Sequence, residues 1–158
     1  MVKTRLMRAR RDKVLAVASG GGHWIQLLRL RAAFDGAQVV FVTVNPDYRK
    51  QVPDDRVHII NDATRWNKFA LALIALRLLF IILRERPTSI VTTGAAPGYF
   101  AIRFGRWLGA RTVWLDSIAN VDELSMSGKL ASRHADVCLT QWPHLAGDDG
   151  IRFEGAVL

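Results

Sequence analysis

Three glycines and a histidine, Gly20, Gly21, Gly22 and His23, follow the apolar run Lys13–Ser19. Glycines between a strand and a helix leave bare backbone N–H groups at the helix N-terminus. Donor geometry and helix dipole together then suit phosphate or pyrophosphate. His23 could act as a general base or hydrogen-bond a phosphate; a plain helix-start histidine is the other reading. The spacing is not the dinucleotide fingerprint, which would need glycine at Ile25. Nor is Ser127-Gly128-Lys129 a P-loop, because Glu123 and Leu130 stand where glycine and Ser or Thr are required. Cofactor chemistry with NAD or ATP loses most of its support, and no cofactor is expected.

Two further stretches carry polar chemistry. Gly94 and Gly98 belong to a second glycine-rich turn after the apolar run Thr88–Thr92. Asp116 and Ser117 end another apolar run and open a polar stretch that reaches Lys129. A carboxylate at a strand's carboxyl end can take a proton or orient a sugar hydroxyl; capping the next turn is the alternative. Lys129 could meet a phosphate or be a solvated helix residue. Cys138 lies in an apolar strand and reads as a core thiol. His58, His134 and His144 have no partners at metal-ligand spacing, so no metal site is predicted.

The elements that must position these residues alternate. Strands are predicted at Lys13–Ser19, Gln38–Val44, Val57–Ile60, Thr88–Thr92, Arg111–Leu115 and Asp136–Thr140, with a last one at Phe153–Val157. Helices are predicted at Trp24–Phe34, Trp66–Arg84 and Tyr99–Leu108, with a short one after Lys129. Continuous apolar strands alternating with helices specify an α/β, doubly wound parallel sheet. Ligands of such folds bind at the carboxyl ends of the strands, so the loops after strands one, four and five are the candidates.

The chain has 158 residues, half of them apolar, which is one domain's worth with an ample core. That apolar fraction excludes disorder, and a single cysteine excludes a disulfide framework. The net charge of +8 attracts polyanions, and residues 1–13 supply five of those charges. Residues 1–12 read as a basic N-terminal segment and 13–158 as one domain. No secretory signal is visible, which makes a cytosolic compartment the expectation.

From Phe69 to Leu83 the only polar residue is Arg77. Such a helix is roughly 22 Å long, short of a comfortable membrane span. Trp66, Lys68 and Arg84 flank it as interfacial anchors do. The pattern favours a monotopic helix on an anionic leaflet, with Trp66, Phe69, Leu73, Leu76, Phe80 and Arg84 facing lipid. A buried crossover helix is the competing reading. No nucleic-acid-binding motif is present, and nucleic acid is not an expected partner.

Five segments in order carry a resemblance: Ser19–His23, Thr93–Gly98, Asp116–Ser125, Ser127–Leu130 and Gln141–Pro143. Together they resemble the PssD-type bacterial exopolysaccharide proteins. Those are related to the membrane subunit of the eukaryotic two-part GlcNAc transferase that extends dolichyl-pyrophosphate-GlcNAc. The glycine-histidine loop is similar to that of MurG-like transferases. The likeness runs from about Lys13 to Leu158. It implies the Rossmann-like N-terminal half of a GT-B glycosyltransferase. A second polypeptide would supply the other half and bind the UDP-sugar. This half would hold a polyprenyl-pyrophosphate-linked acceptor on the cytoplasmic face of the inner membrane, without a metal. The resemblance implies His23 or Asp116 as the base. It places Gly20, Gly21, Gly22, Gly94, Gly98, Ser117 and Lys129 at the substrate. Phe153, Val157 and Leu158 would belong to a partner-docking tail. Asp116 stands where the eukaryotic subunit usually has Glu. Other expectations are a stand-alone phosphosugar enzyme, such as an epimerase or phosphatase, and a non-catalytic membrane scaffold.

Overall fold

The computed structural model describes residues 12–62, 66–147 and 150–157. Seven strands form one sheet: β1 (Lys13–Val17), β2 (Gln38–Thr43), β3 (Arg56–Ile59), β4 (Ser89–Thr92), β5 (Arg111–Leu115), β6 (Val137–Thr140) and β7 (Ile151–Phe153). All neighbours pair in parallel, in the order β3-β2-β1-β4-β5-β6-β7. The chain therefore winds outward from β1 to β3, then restarts at β4 on the other side of β1. That reversal makes the gap between the ends of β1 and β4 the topological switch point.

Four helices cover the sheet: α1 (Gly22–Arg29), α2 (Lys68–Glu85), α3 (Ala95–Trp107) and α4 (Met126–Ala131). Side chains alternate along each strand, which sorts the core into two layers. Leu15, Val17, Val40, Val42 and Ile90 face α2 and α3. Trp114 and Cys138 continue that layer towards α4. On the opposite face Val14, Ala16 and Phe41 pack against Trp24 and Leu27 of α1. Phe34, from a 3₁₀ turn at Arg31–Phe34, completes this second layer.

Helix α2 starts at Asn67, whose side chain accepts from the Ala70 N–H at 3.0 Å. It stops at Arg86, which is left-handed (φ 47°) and followed by Pro87. One face buries Ile74, Leu78, Ile81 and Ile82 against the sheet. Each such side chain contributes about 1.5–3 kcal/mol through removal from water. The opposite face leaves Phe69, Leu73, Leu76, Phe80 and Leu83 exposed. Their steps of four, three, four and three residues trace a single stripe. The helix is therefore not fully buried: the crossover reading describes its sheet-facing side only. No helix among the described residues is long and apolar enough to cross a membrane.

The inner end of α2 carries a buried ion cluster. Glu85 accepts from Lys13 (3.1 Å), Arg56 (3.0 Å) and His58 (2.9 Å). Burial pushes its pKa up, but these three hydrogen bonds outweigh that and hold it down at about 2.

Three boundaries differ from expectation. The final strand is Ile151–Phe153, and Glu154–Val157 continues as an irregular tail across the face that α1 leaves open. Helix α3 starts at Ala95, four residues early, because Gly94 and Ala95 both take positive φ and turn the chain directly into it. Helix α4 begins inside the polar stretch, since Ser125 caps it by accepting from the Gly128 N–H. The basic segment expected at 1–12 lies outside the described residues except for Asp12.

Candidate functional site at the switch point

The loops after β1 and β4 meet at the switch point. Gly21 (φ 57°) caps α1, and Gly94 (φ 132°) caps α3. Both helix N-termini therefore open onto the same sheet edge, with first-turn N–H groups that no earlier turn can satisfy. His23 joins the two loops. Its Nδ1 lies 2.7 Å from the Thr93 carbonyl, and the Thr93 hydroxyl donates to the His23 carbonyl at 2.6 Å. A carbonyl only accepts, so Nδ1 carries the proton, which leaves a lone pair on Nε2 of the neutral ring. A Cβ on Gly94 would lie 2.7 Å from the His23 ring, so glycine is required for both conformation and space. Tyr48 steadies the glycine loop by accepting from the Gly21 N–H at 3.0 Å. Its ring stacks on Trp24 of α1 at 4.7 Å.

The loop after β5 is built differently. Asp116 is 2% exposed. Its carboxylate accepts from Trp114 Nε1 (3.0 Å), Asn120 Nδ2 (3.0 Å), the Ser125 N–H (2.8 Å) and the Ser125 hydroxyl (2.6 Å). Both oxygens are engaged, so Asp116 organises its loop and the geometry gives it no open lone pair for an acceptor hydroxyl. Gly128 lets α4 approach, since a Cβ there would lie 2.6 Å from Asp116 Oδ1. Trp142 Nε1 donates to the Ile118 carbonyl at 2.8 Å and closes the loop from the β6 side.

The remaining sequence candidates divide. Gly20, Gly21, Gly22 and Gly94 lie in the two switch-point turns. Gly98 does not: it is buried inside α3, where a Cβ would meet Thr92 Oγ1 at 2.2 Å. Its part is close helix–strand packing. Ser117 accepts from Gln26 Nε2 at 3.2 Å. Lys129 pairs at the surface with Glu123. Burial, with the nearby charge of Asp116, pushes the Cys138 thiol up to about 12, as befits a core thiol. Trp66, just before α2, and Phe69, Leu73, Leu76, Phe80 and Arg84 along it are all exposed. Phe153 is exposed, Val157 is half-buried, and Leu158 lies outside the described residues. Tyr48, Thr93, Gln26 and Gln141 also hold these loops, and none of them is among the sequence-predicted site residues; a polar side chain within an apolar helix face, as at Gln26, is the available signal.

Comparison with known families decides the relationship. The family model described as "Oligosaccharide biosynthesis protein Alg14 like" matches residues 55–156. The chain belongs to the Alg14-like family. Among solved structures it is similar to MurG of Acinetobacter baumannii, with a TM-score of 0.74 at 15% identity, covering 90% of this chain and 45% of that one. It is also similar to a UDP-N-acetylglucosamine 2-epimerase of Rickettsia bellii (TM-score 0.71, 11% identity, 94% and 46% covered). A glycosyltransferase of Rickettsia africae gives a TM-score of 0.68 at 14% identity, with 92% and 43% covered. The chain spans less than half the length of these proteins. No match was found among curated protein sequences. The fold is thus the Rossmann-like sheet of GT-B N-terminal domains such as that of MurG. Epimerases share it, so fold alone does not choose the chemistry; the family relates this chain to glycosyltransferases of oligosaccharide biosynthesis.

Proposed function

We propose that this chain is the acceptor-binding half of a two-chain glycosyltransferase of the PssD type. The reaction moves a sugar from a UDP-sugar to a saccharide on polyprenyl pyrophosphate, in polysaccharide biosynthesis. The observation that carries this reading is His23, held as an Nδ1–H tautomer between two helix N-termini at the switch point. The paired N-termini suit a pyrophosphate. An acceptor hydroxyl then attacks the anomeric carbon, its proton passes to His23 Nε2, and the bond to UDP breaks. A second chain supplies the donor site, a reading that the Alg14-like family and the GT-B N-terminal fold support. Phe153, Val157 and Leu158 belong to the surface it docks on.

The exposed stripe of α2, with Arg77 and Arg84 beside it, rests on an anionic membrane at the cytoplasmic face. That places the acceptor's lipid and its pyrophosphate on one body.

Binding of geranyl pyrophosphate to the purified chain tests the acceptor assignment. Saturable binding that inorganic pyrophosphate displaces and His23→Ala weakens is expected. Equal or tighter binding of UDP-sugar, without the second chain, would count against it.

A further inference from the structure

A buried chain of amides connects the C-terminal tail to the candidate site. Gln141, just past β6, is 3% exposed, and Gln26, in the middle of α1, is 5% exposed. The Val157 N–H donates to Gln141 Oε1 at 2.9 Å. Gln141 Nε2 donates to Gln26 Oε1 at 2.7 Å and to the Asp116 carbonyl at 2.9 Å. Gln26 Nε2 then donates to the Ser117 hydroxyl, which itself accepts from the Ala119 N–H. The other side of the tail is tied as well, because Arg29 of α1 donates to the Val157 carbonyl at 3.1 Å. Three separated segments thus share two side chains: the tail, the helix that carries His23, and the loop after β5.

We infer that Gln26 and Gln141 are positioning residues through which the seating of the tail sets the order of the two substrate loops. The amide group of Gln141 is planar, so its donor and acceptor edges turn together. With the tail away, its Oε1 loses its donor and the amide is free to turn towards another donor. Any rotation that finds Oε1 a new donor breaks the bond to Gln26, to Asp116, or to both. Gln26 lies one turn beyond His23, so its release loosens α1 and the Ser117 loop together. Buried hydrogen-bond chains behave as units in this way. Linkage runs in both directions: whatever seats the tail orders the loops, and a ligand that orders the loops seats the tail. The coupling stands on contacts within this chain. Only its meaning for an acceptor rests on the proposed function, where a docked second chain would seat the tail.

A double-mutant cycle on the full chain tests the relay. The tail is removed by ending the chain at Phe153, Gln26→Met removes the amide at similar volume, and the third variant combines both. Amide exchange over residues 117–125 is the first readout. Each single change is expected to speed exchange about tenfold, and the combination no further than the larger single effect. Glu154→Gln, which makes none of these contacts, is expected to match the parent chain. Geranyl pyrophosphate affinity is the second readout and should weaken in the same non-additive pattern. If truncation leaves residues 117–125 unchanged, or if the two effects multiply, the relay is wrong. Gln26→Asn, which keeps the amide on a shorter arm, supplies the same cycle if Gln26→Met does not fold. A parent chain that ignores geranyl pyrophosphate would overturn the acceptor reading, while the exchange cycle would still decide the relay.

Discussion

Two loop regions at one edge of the sheet, the switch-point turns and the loop after β5, are built on opposite plans. The switch-point loops are glycines, backbone N–H groups and one histidine whose second nitrogen is left open. The loop after β5 has more polar side chains, and those of Asn120 and Ser125 are turned inward on Asp116. A crowded polar loop satisfies its own buried groups first, because an unpaired buried acceptor or donor is costly. Open valence, more than polar density, marks where a substrate can be met.

The largest expected effects set the two loops directly against each other. Asp116→Ala should cost about 3–4 kcal/mol of stability, because four donors lose their shared acceptor. His23→Ala should lower turnover with the second chain by roughly 10²–10⁴. Its stability cost should be only about 1 kcal/mol. Chemical denaturation and a transfer assay on both variants would reveal a swap of these two profiles, which would break the comparison.

Gly94→Ala comes next. It places a Cβ against the His23 ring in a backbone conformation that alanine disfavours. A loss of about 2 kcal/mol is expected, together with a turnover defect, as the ring moves from Thr93. Unchanged turnover would show that the ring position does not matter.

Glu85 sharpens the contrast from outside both loops, as a buried carboxylate ringed by cations. Its folded-state pKa of about 2 lies below its ordinary 4.5. Its contribution is therefore whole above about pH 5 and is lost as pH falls towards 2. Acid unfolding of Glu85→Gln should be flatter over that window than that of the parent chain. An unaltered profile would remove Glu85 from the acid response. The smallest stability effect belongs to the exposed stripe of α2. Phe69→Ser with Phe80→Ser should change stability by at most about 0.5 kcal/mol each. Binding to phosphatidylglycerol vesicles, followed by flotation, should nevertheless be lost; retained binding would place the membrane contact elsewhere.

The parallel sheet was legible in the sequence because buried strands read as unbroken apolar runs, and the strand order put the glycine loop where ligands bind. Periodicity could not divide α2 into a core face and an exposed face. Nearly every position from Phe69 to Leu83 is apolar, so the sheet alone decides which side is covered. The sequence pattern alone does not separate Gly98, which packs α3 against the sheet, from glycines of a ligand-facing turn. The Gln26–Gln141 contact joins residues 115 positions apart, and no local pattern announces it.

The central claim is that this chain holds the acceptor and works only with a second chain. The most direct test is sugar transfer on membranes bearing a polyprenyl-pyrophosphate-linked acceptor, with a panel of UDP-sugars. The protein is assayed alone and together with a candidate donor-binding chain. Turnover with both chains, absent with either one and lost with His23→Ala, is the predicted result. Turnover by this chain alone would contradict the account.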